Sequence, residues 1–243
     1  SHFPDRIITS GTAISDMMNK VSGVSPEQVV SIVAGVDMKR FDHRISGEPV
    51  RKEFGLKPGQ PLIGKIAVIR DWKGHDYFLE AVPLILKKFP EARFVIVGSG
   101  VQEETVRQKI NNLGLGHCVI MTGHREDIPK ILAALDVFVL ASYAGEATSQ
   151  VIPQAFAMKR PVVATRAGGI PEILDDNERG ILADIRSAES LAEGIMRLLE
   201  NPDLAERFVE NAFQFCRNEL TVEQMIDKTV AVYESLLNSS NPL

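Results

Sequence analysis

The residues of this chain best suited to chemistry stand in short stretches that each follow an apolar run. In "GEATSQVIPQA", the carboxylate of Glu146 and the amide of Gln154 lie eight residues apart, with small polar residues, two apolar β-branched residues and a proline between them. Three chemistries fit: an acid pair with one member exchanged, a helix start that binds sugar hydroxyls, or an ordinary helix with a cap. A helix beginning near Thr148 to Gln150 puts Pro153 in its first turn or just after it, where a missing N–H costs little. It leaves free amides at Ser149 and Gln150, an anion site by construction. A phosphate there is repelled by Glu146 unless Glu146 faces a different part of the same ligand. A sugar nucleotide, with phosphates at one place and hydroxyls at another, satisfies both groups.

"IRDWKGHD" carries Arg70 and Lys73, cations three apart beside Gly74 at a helix start. Arginine binds phosphate oxygens bidentately, lysine supplies a point charge and the helix N-terminus adds positive potential; the bland alternative is two solvated surface cations. In "VGSG", Gly98 and Gly100 permit close backbone approach to a ligand, as in many tight strand-to-helix turns. The third glycine of G-x-G-x-x-G is missing, and no acidic residue follows about 20 positions on, so a dinucleotide site is weakly supported. "TGHRED" has Gly123 at the turn, with His124 and Arg125 surface residues unless a base lies there. In "ATRAGGIPEIL" the glycines give a flexible turn, and Glu172 suits the helix dipole.

These stretches need a scaffold, and the pattern supplies one. From Pro61 onward, nearly all-apolar segments ("LIGKIAVI", "RFVIVG", "CVIMTG", "VFVLAS", "PVVAT", "GILAD") alternate with amphipathic ones. Such alternation predicts an α/β fold: a Rossmann-like open parallel sheet with helices on both faces, followed by C-terminal helices. Ligands of such sheets bind beyond the carboxyl ends of the strands, where all of the stretches above fall. After Asp184 three consecutive helices follow, the last with Thr221 as N-cap and Gln224 at the capping-box position, and the tail "SSNPL" is expected to fray. Residues 5–37 read as strand, helix, strand, too little for a core of their own. They either add to the edge of the main sheet or end a domain whose earlier part lies elsewhere; the second is favoured. The expected division is 1–40 as remnant and linker, 41–220 as the nucleotide-sugar-binding domain, and 221–243 as a terminal helix and tail.

The 243 residues allow one large α/β domain or one domain with part of another. A net charge of −5 argues against nucleic acid or an anionic membrane surface as partner. Two isolated cysteines give no metal spacing, and there is no Asp-x-Asp pair. No metal or cofactor is expected. No apolar run reaches the roughly 20 residues of a membrane span, and the expected location is the cytoplasm.

Taken in order, "SIVAGVDMKRF", "IRDWKGHDYFLEA", "FVIVGSG", "VIMTGHREDIPKILAALDVFVLAS", "EATSQVIPQAFAMKRPVVATRAGGIPEIL" and "RGILAD" resemble the C-terminal half of the retaining glycosyltransferases of family 4 (group 1), which have the GT-B fold. The resemblance runs from about Asp5 to Leu237. It implies a donor half that binds a nucleoside-diphosphate sugar, UDP- or GDP-linked, for hexosyl transfer with retention. Glu146, Arg70 and Lys73 become the catalytic group. Gly98, Gly100, Gly123, His124 and Arg125, with Thr148, Ser149, Gln150, Val151 and Gln154, become the donor-binding set. Gln154 stands where the family has a second acid on the ribose hydroxyls; its amide can both donate and accept there. Ala147-Thr148-Ser149 replaces the common Gly-Phe-Gly, and Ala34 the usual linker asparagine. By the resemblance, residues 1–40 are the remnant of the family's N-terminal acceptor domain plus linker; the rest of that domain, with its histidine near the reacting sugar, has no match in this sequence, so a fragment that binds donor without transferring it is expected. Relatives of this sort build polysaccharide or lipopolysaccharide at the inner face of the cytoplasmic membrane, implying at most peripheral membrane association. The alternatives are a natural donor-binding subunit with a separate acceptor-domain partner, a phosphorylase or epimerase of the same fold, and a dehydrogenase domain.

Overall fold

The computed structural model describes residues 4–21 and 24–239, so the tail beyond Ser239 lies outside the described residues. The chain opens with β1 (Ile7–Thr9), α1 (Thr12–Val21) and β2 (Val29–Ser31). These two strands pair in parallel, Ile7 opposite Val29, as a sheet of their own. Addition to the edge of the main sheet, one of the two placements the sequence allows, is not adopted.

After α2 (Glu48–Glu53), strands and helices alternate: β3 (Leu62–Ile66), α3 (His75–Leu86), β4 (Arg93–Val97), α4 (Glu103–Asn112), β5 (Val119–Gly123), α5 (Ile128–Ala134), β6 (Val137–Leu140), α6 (Val151–Ala157), β7 (Val162–Thr165), α7 (Ile170–Leu174) and β8 (Ile181–Ala183). The six strands form one parallel sheet in the order β5-β4-β3-β6-β7-β8. The strands are largely apolar because helices cover both faces, and successive side chains enter opposite layers. Phe94 and Ile96 of β4 join Phe78, Leu79 and Ile195 in one layer; Val95 and Val97 join Leu132, Phe138 and Phe156 in the other. Each such side chain, fully buried, contributes about 1.5–3 kcal/mol.

The chain builds outward from β3 through β4 to β5, then returns to β6 and builds the other way through β7 to β8. The adjacent strands β3 and β6, in register at Ile63–Val137 and Gly64–Phe138, thus send their following loops in opposite directions. That reversal opens a crevice at their carboxyl ends, where the Arg70–Lys73 and Glu146 segments lie.

Three helices complete the chain: α8 (Ala188–Glu200), α9 (Pro202–Glu219) and α10 (Val222–Ser239). The expected capping box forms, with Gln224 N donating to Thr221 Oγ1 (3.2 Å) and Thr221 N to Gln224 Oε1 (3.0 Å). Just before α10 the chain bridges to Val36: Val36 N donates to Leu220 O (2.8 Å) and Val222 N to Val36 O (3.2 Å). From there α10 runs beside β2, forming a groove with Arg6, Glu27 and Ile32 on one side and Lys228 and Val232 on the other. No helix of the described residues is long and apolar enough to cross a membrane.

Candidate functional site

The turn after β3 and the loop after β6 meet through one buried ion pair. Lys73 Nζ lies 2.5 Å from Glu146 Oε1, with the two side chains 17% and 5% exposed. Ser142, just beyond β6, donates its hydroxyl to the same carboxylate oxygen at 2.5 Å. The sequence points Lys73 to phosphate and Glu146 to sugar; in this structure each holds the other. Arg70 is exposed, and its guanidinium stands 5.4 Å from the Trp72 ring centroid.

Beneath the pair lies a group the sequence reading passed over. Lys65 of β3 is 0% exposed and donates to the main-chain oxygen of Lys73 at 2.5 Å. Burial, reinforced by the charge of Lys73 and opposed by Glu146, lowers its pKa to about 7. His75, at the start of α3, is also buried, and desolvation with the nearby Lys65 charge lowers its pKa to about 3. The imidazole is therefore neutral. Its Nε2 faces Val68 O at 3.2 Å and must carry the proton, because a carbonyl only accepts. Its Nδ1 is buried and has no hydrogen-bond partner among the described residues. The signal for Lys65 was present: a lysine inside the apolar run "LIGKIAVI".

A second feature opens at the ends of β3, β4 and β5. A cavity of ≈ 320 Å³ is lined by Ile66, Ala67, Val68, Val97, Gly98, Ser99, His124, Arg125 and Ile128. Arg125 is committed on both sides: its guanidinium donates to Asp127 (2.8 Å twice) and to Glu53 (2.6 and 3.1 Å). Those hydrogen bonds, Asp127 first, raise its pKa and lower those of Glu53 and Asp127. So held, Arg125 offers the cavity a fixed planar wall rather than a free cation.

The glycines of "VGSG" answer first to the protein's own backbone. A Cβ at Gly98 would meet Ala67 O at 2.0 Å, and one at Gly100 would meet Ile69 O at 2.2 Å. Gly98 still borders the cavity. Gly123 makes no such close approach; its carbonyl accepts from Gly98 N at 2.9 Å, locking the two turns together.

Helix α6 begins at Val151, with Gln150 as its N-cap, slightly later than expected. The preceding residues are held elsewhere: Thr148 donates its hydroxyl to Ser10 O (2.6 Å), which draws this segment toward the β1–α1 turn. Ser149 is buried, and its carbonyl accepts from Ile152 N at 3.3 Å; Pro153 has no N–H, so the amides that lead into α6 without an acceptor among the described residues are those of Ser149, Gln150 and Val151. Gln154, half-buried on α6, makes no side-chain hydrogen bond among the described residues. The Glu146 loop rests on the turn after β7: Gly169 N donates to Glu146 O at 3.2 Å, and a Cβ at Gly168 (φ 52) would stand 1.8 Å from Glu146 O.

Glu172 stands in the first turn of α7, as expected, and has a second role. Beyond any effect on α7's dipole, its carboxylate accepts from Thr12 N (2.9 Å) and Ala13 N (2.8 Å), capping α1 from 160 residues away. Among the described residues, no three His, Cys, Asp or Glu side chains cluster as metal ligands.

A profile of the family described as glycosyl transferases group 1 matches residues 47–215. The chain is 26% identical over 225 residues to the alpha-D-kanosaminyltransferase of Streptomyces kanamyceticus, covering 91% of this chain and 58% of that protein. It superposes on Anabaena HepE, solved with UDP-glucose, with a TM-score of 0.88 at 24% identity, covering 96% of this chain and 65% of that one. It also matches the C-terminal domain of LpcC, a group 1 family protein from Francisella tularensis, with a TM-score of 0.69 at 28% identity, over 77% of this chain and 100% of that one. The chain spans 58–63% of the length of three curated relatives it matches.

Proposed function

Because the chain belongs to the glycosyl transferases group 1, we propose that it supplies the donor-binding half of a hexosyl transferase that moves a sugar from a nucleoside diphosphate to an acceptor with retained configuration. The observation that carries this reading is the buried Lys73–Glu146 pair at the β3/β6 crevice, flanked by Arg70 and by the cavity against Arg125. The base enters the cavity beside the guanidinium plane of Arg125. The diphosphate lies over the amides of Ser149 and Gln150 that lead into α6, with Arg70 and Lys73 as its cations, and Gln154 meets the ribose. Glu146 takes the sugar hydroxyls and favours the positive charge that grows at the anomeric carbon. The leaving diphosphate gains negative charge as the bond breaks, and fixed cations and N–H groups stabilise it there.

A further domain for the acceptor is part of this reading. On α10, Ile226, Val230, Tyr233 and Leu237 form an exposed apolar stripe at helical spacing, and Ile8 and Met17 are exposed as well. Such a stripe is a surface that another packed element would cover.

Titration calorimetry with UDP, GDP, UDP-glucose and GDP-mannose tests the donor site. One nucleotide pair is expected to bind with Kd below about 1 mM. Arg70→Ala should weaken it at least about fivefold, a loss of one charge-assisted contact. Glu146→Gln should spare the free nucleotide and weaken its sugar-bearing form. Gln154→Ala should weaken both, whereas Gln154→Glu should keep or tighten them. If no nucleotide binds, or Arg70→Ala changes nothing, the assignment is wrong.

A further inference from the structure

Two lysines and one carboxylate share the base of the crevice, and only one lysine is paired. Lys73 holds Glu146. Lys65 makes no ion pair among the described residues, although it is wholly buried and its amine ends on the Lys73 main-chain oxygen. A buried lysine without an anion is rare and costly unless it sheds its charge.

We propose that Lys65 is the internal counter-cation of Glu146 in the donor-bound state, and that donor binding draws a proton from solvent onto Lys65. This rests on the donor site assigned above. When Lys73 turns to the incoming diphosphate, Glu146, 5% exposed, loses its partner. The diphosphate also adds negative charge above the crevice. Both changes favour the ammonium form of Lys65, whose neutral amine takes up the proton with no other bond made or broken. Lys65 is thus a positioning residue: it keeps Glu146 ionised and in place for the sugar while Lys73 serves the phosphate.

The titratable groups that face Lys65 are Lys73 from the turn after β3, Glu146 from the loop after β6 and His75 from α3. The imidazole, with its pKa lowered to about 3, stays neutral throughout the physiological range. Lys65 itself, lowered to about 7 by burial and then by Lys73, is poised there. Donor binding raises that pKa, so the bound state holds more protons than the free one. Affinity should then be flat below about pH 7 and fall above it, by up to about tenfold per pH unit, until the bound-state pKa is passed.

UDP-glucose and GDP-mannose are suitable probes, because the diphosphate of a sugar nucleotide does not itself titrate between about pH 6 and 9. Calorimetry near pH 8 in two buffers of different ionisation enthalpy should show net proton uptake on binding. The Lys65→Met variant should show none, bind about tenfold more weakly near pH 7, and lose the pH slope. Lys65→Arg, permanently charged, should restore tight binding at high pH. Zero uptake by the wild-type protein overturns the proposal without any variant, as does an unchanged slope in folded Lys65→Met. Failure of both probes to bind at any pH removes the donor site itself, and the role of Lys65 with it.

Discussion

Replacing Lys73 with methionine keeps the length of the side chain and removes its charge, leaving Glu146 buried without its cation. Charges 2.5 Å apart attract by about 6–7 kcal/mol at an effective dielectric of about 20. Most of that is offset by the desolvation already suffered, and breaking buried pairs costs about 3–5 kcal/mol in general. Here the Ser142 hydroxyl and the neighbouring Lys65 remain to support the carboxylate. The expected loss is therefore about 2–3 kcal/mol, or a fall in Tm of about 5–10 °C for a chain of this size. The mirror change is milder. With Glu146→Gln, Lys73 is on a flexible stem at 17% exposure and can turn to water, so the loss should stay below about 1 kcal/mol. Urea unfolding of both single variants and the double variant at neutral pH measures this asymmetry. A cost below about 0.5 kcal/mol for Lys73→Met, or a cost for Glu146→Gln equal to that of Lys73→Met, would refute the asymmetry.

Two further changes probe the frame around the pair. Gly168→Ala combines a left-handed backbone (φ 52) with a methyl 1.8 Å from Glu146 O; it should destabilise the protein by about 3 kcal/mol and weaken binding of sugar-bearing donors, and a denaturation midpoint equal to wild type would refute the close approach. Glu172→Gln leaves a single oxygen for the two amides of Thr12 and Ala13; hydrogen exchange at those amides should quicken, for a local loss of about 1 kcal/mol, while exchange in the main sheet stays unchanged. Unaltered exchange at residues 12 and 13 would show that the long-range cap is not formed.

Much of the scaffold was legible because its signals are local. Apolar runs bounded by turn residues gave six strands of one parallel sheet, and Thr221 with Gln224 announced the start of α10 through a capping box that closes over three residues. Position at strand ends singled out Arg70, Lys73 and Glu146 for the same reason. What local pattern does not carry is pairing across the fold. Lys73 and Glu146 are 73 residues apart, and no periodicity says that they meet. Glu172 reads as a helix-dipole charge until the fold brings the first turn of α1 against its carboxylate. Thr148 reads as a helix start until the Ser10 carbonyl takes its hydroxyl and the helix begins at Val151 instead. Lys65 differs from these, since its oddity was visible in the sequence, but its meaning depends on which lysine the carboxylate chooses.

The bridge between Val36 and Thr221 has a mechanical consequence. The chain leaves the β1–β2 unit at one point and comes back to it through α10 at another, and the two crossings are bonded side by side through Leu220 O, Val36 N, Val36 O and Val222 N. A body joined by one strand can swivel about any axis; joined by two adjacent strands, it retains essentially one easy rotation, about the seam itself. The Glu172–α1 contacts and the Thr148–Ser10 bond sit away from that seam, beside the crevice. They act as a catch opposite a door hinge, so any swing of the β1–β2 unit must first release the same segment that carries Glu146 into the site.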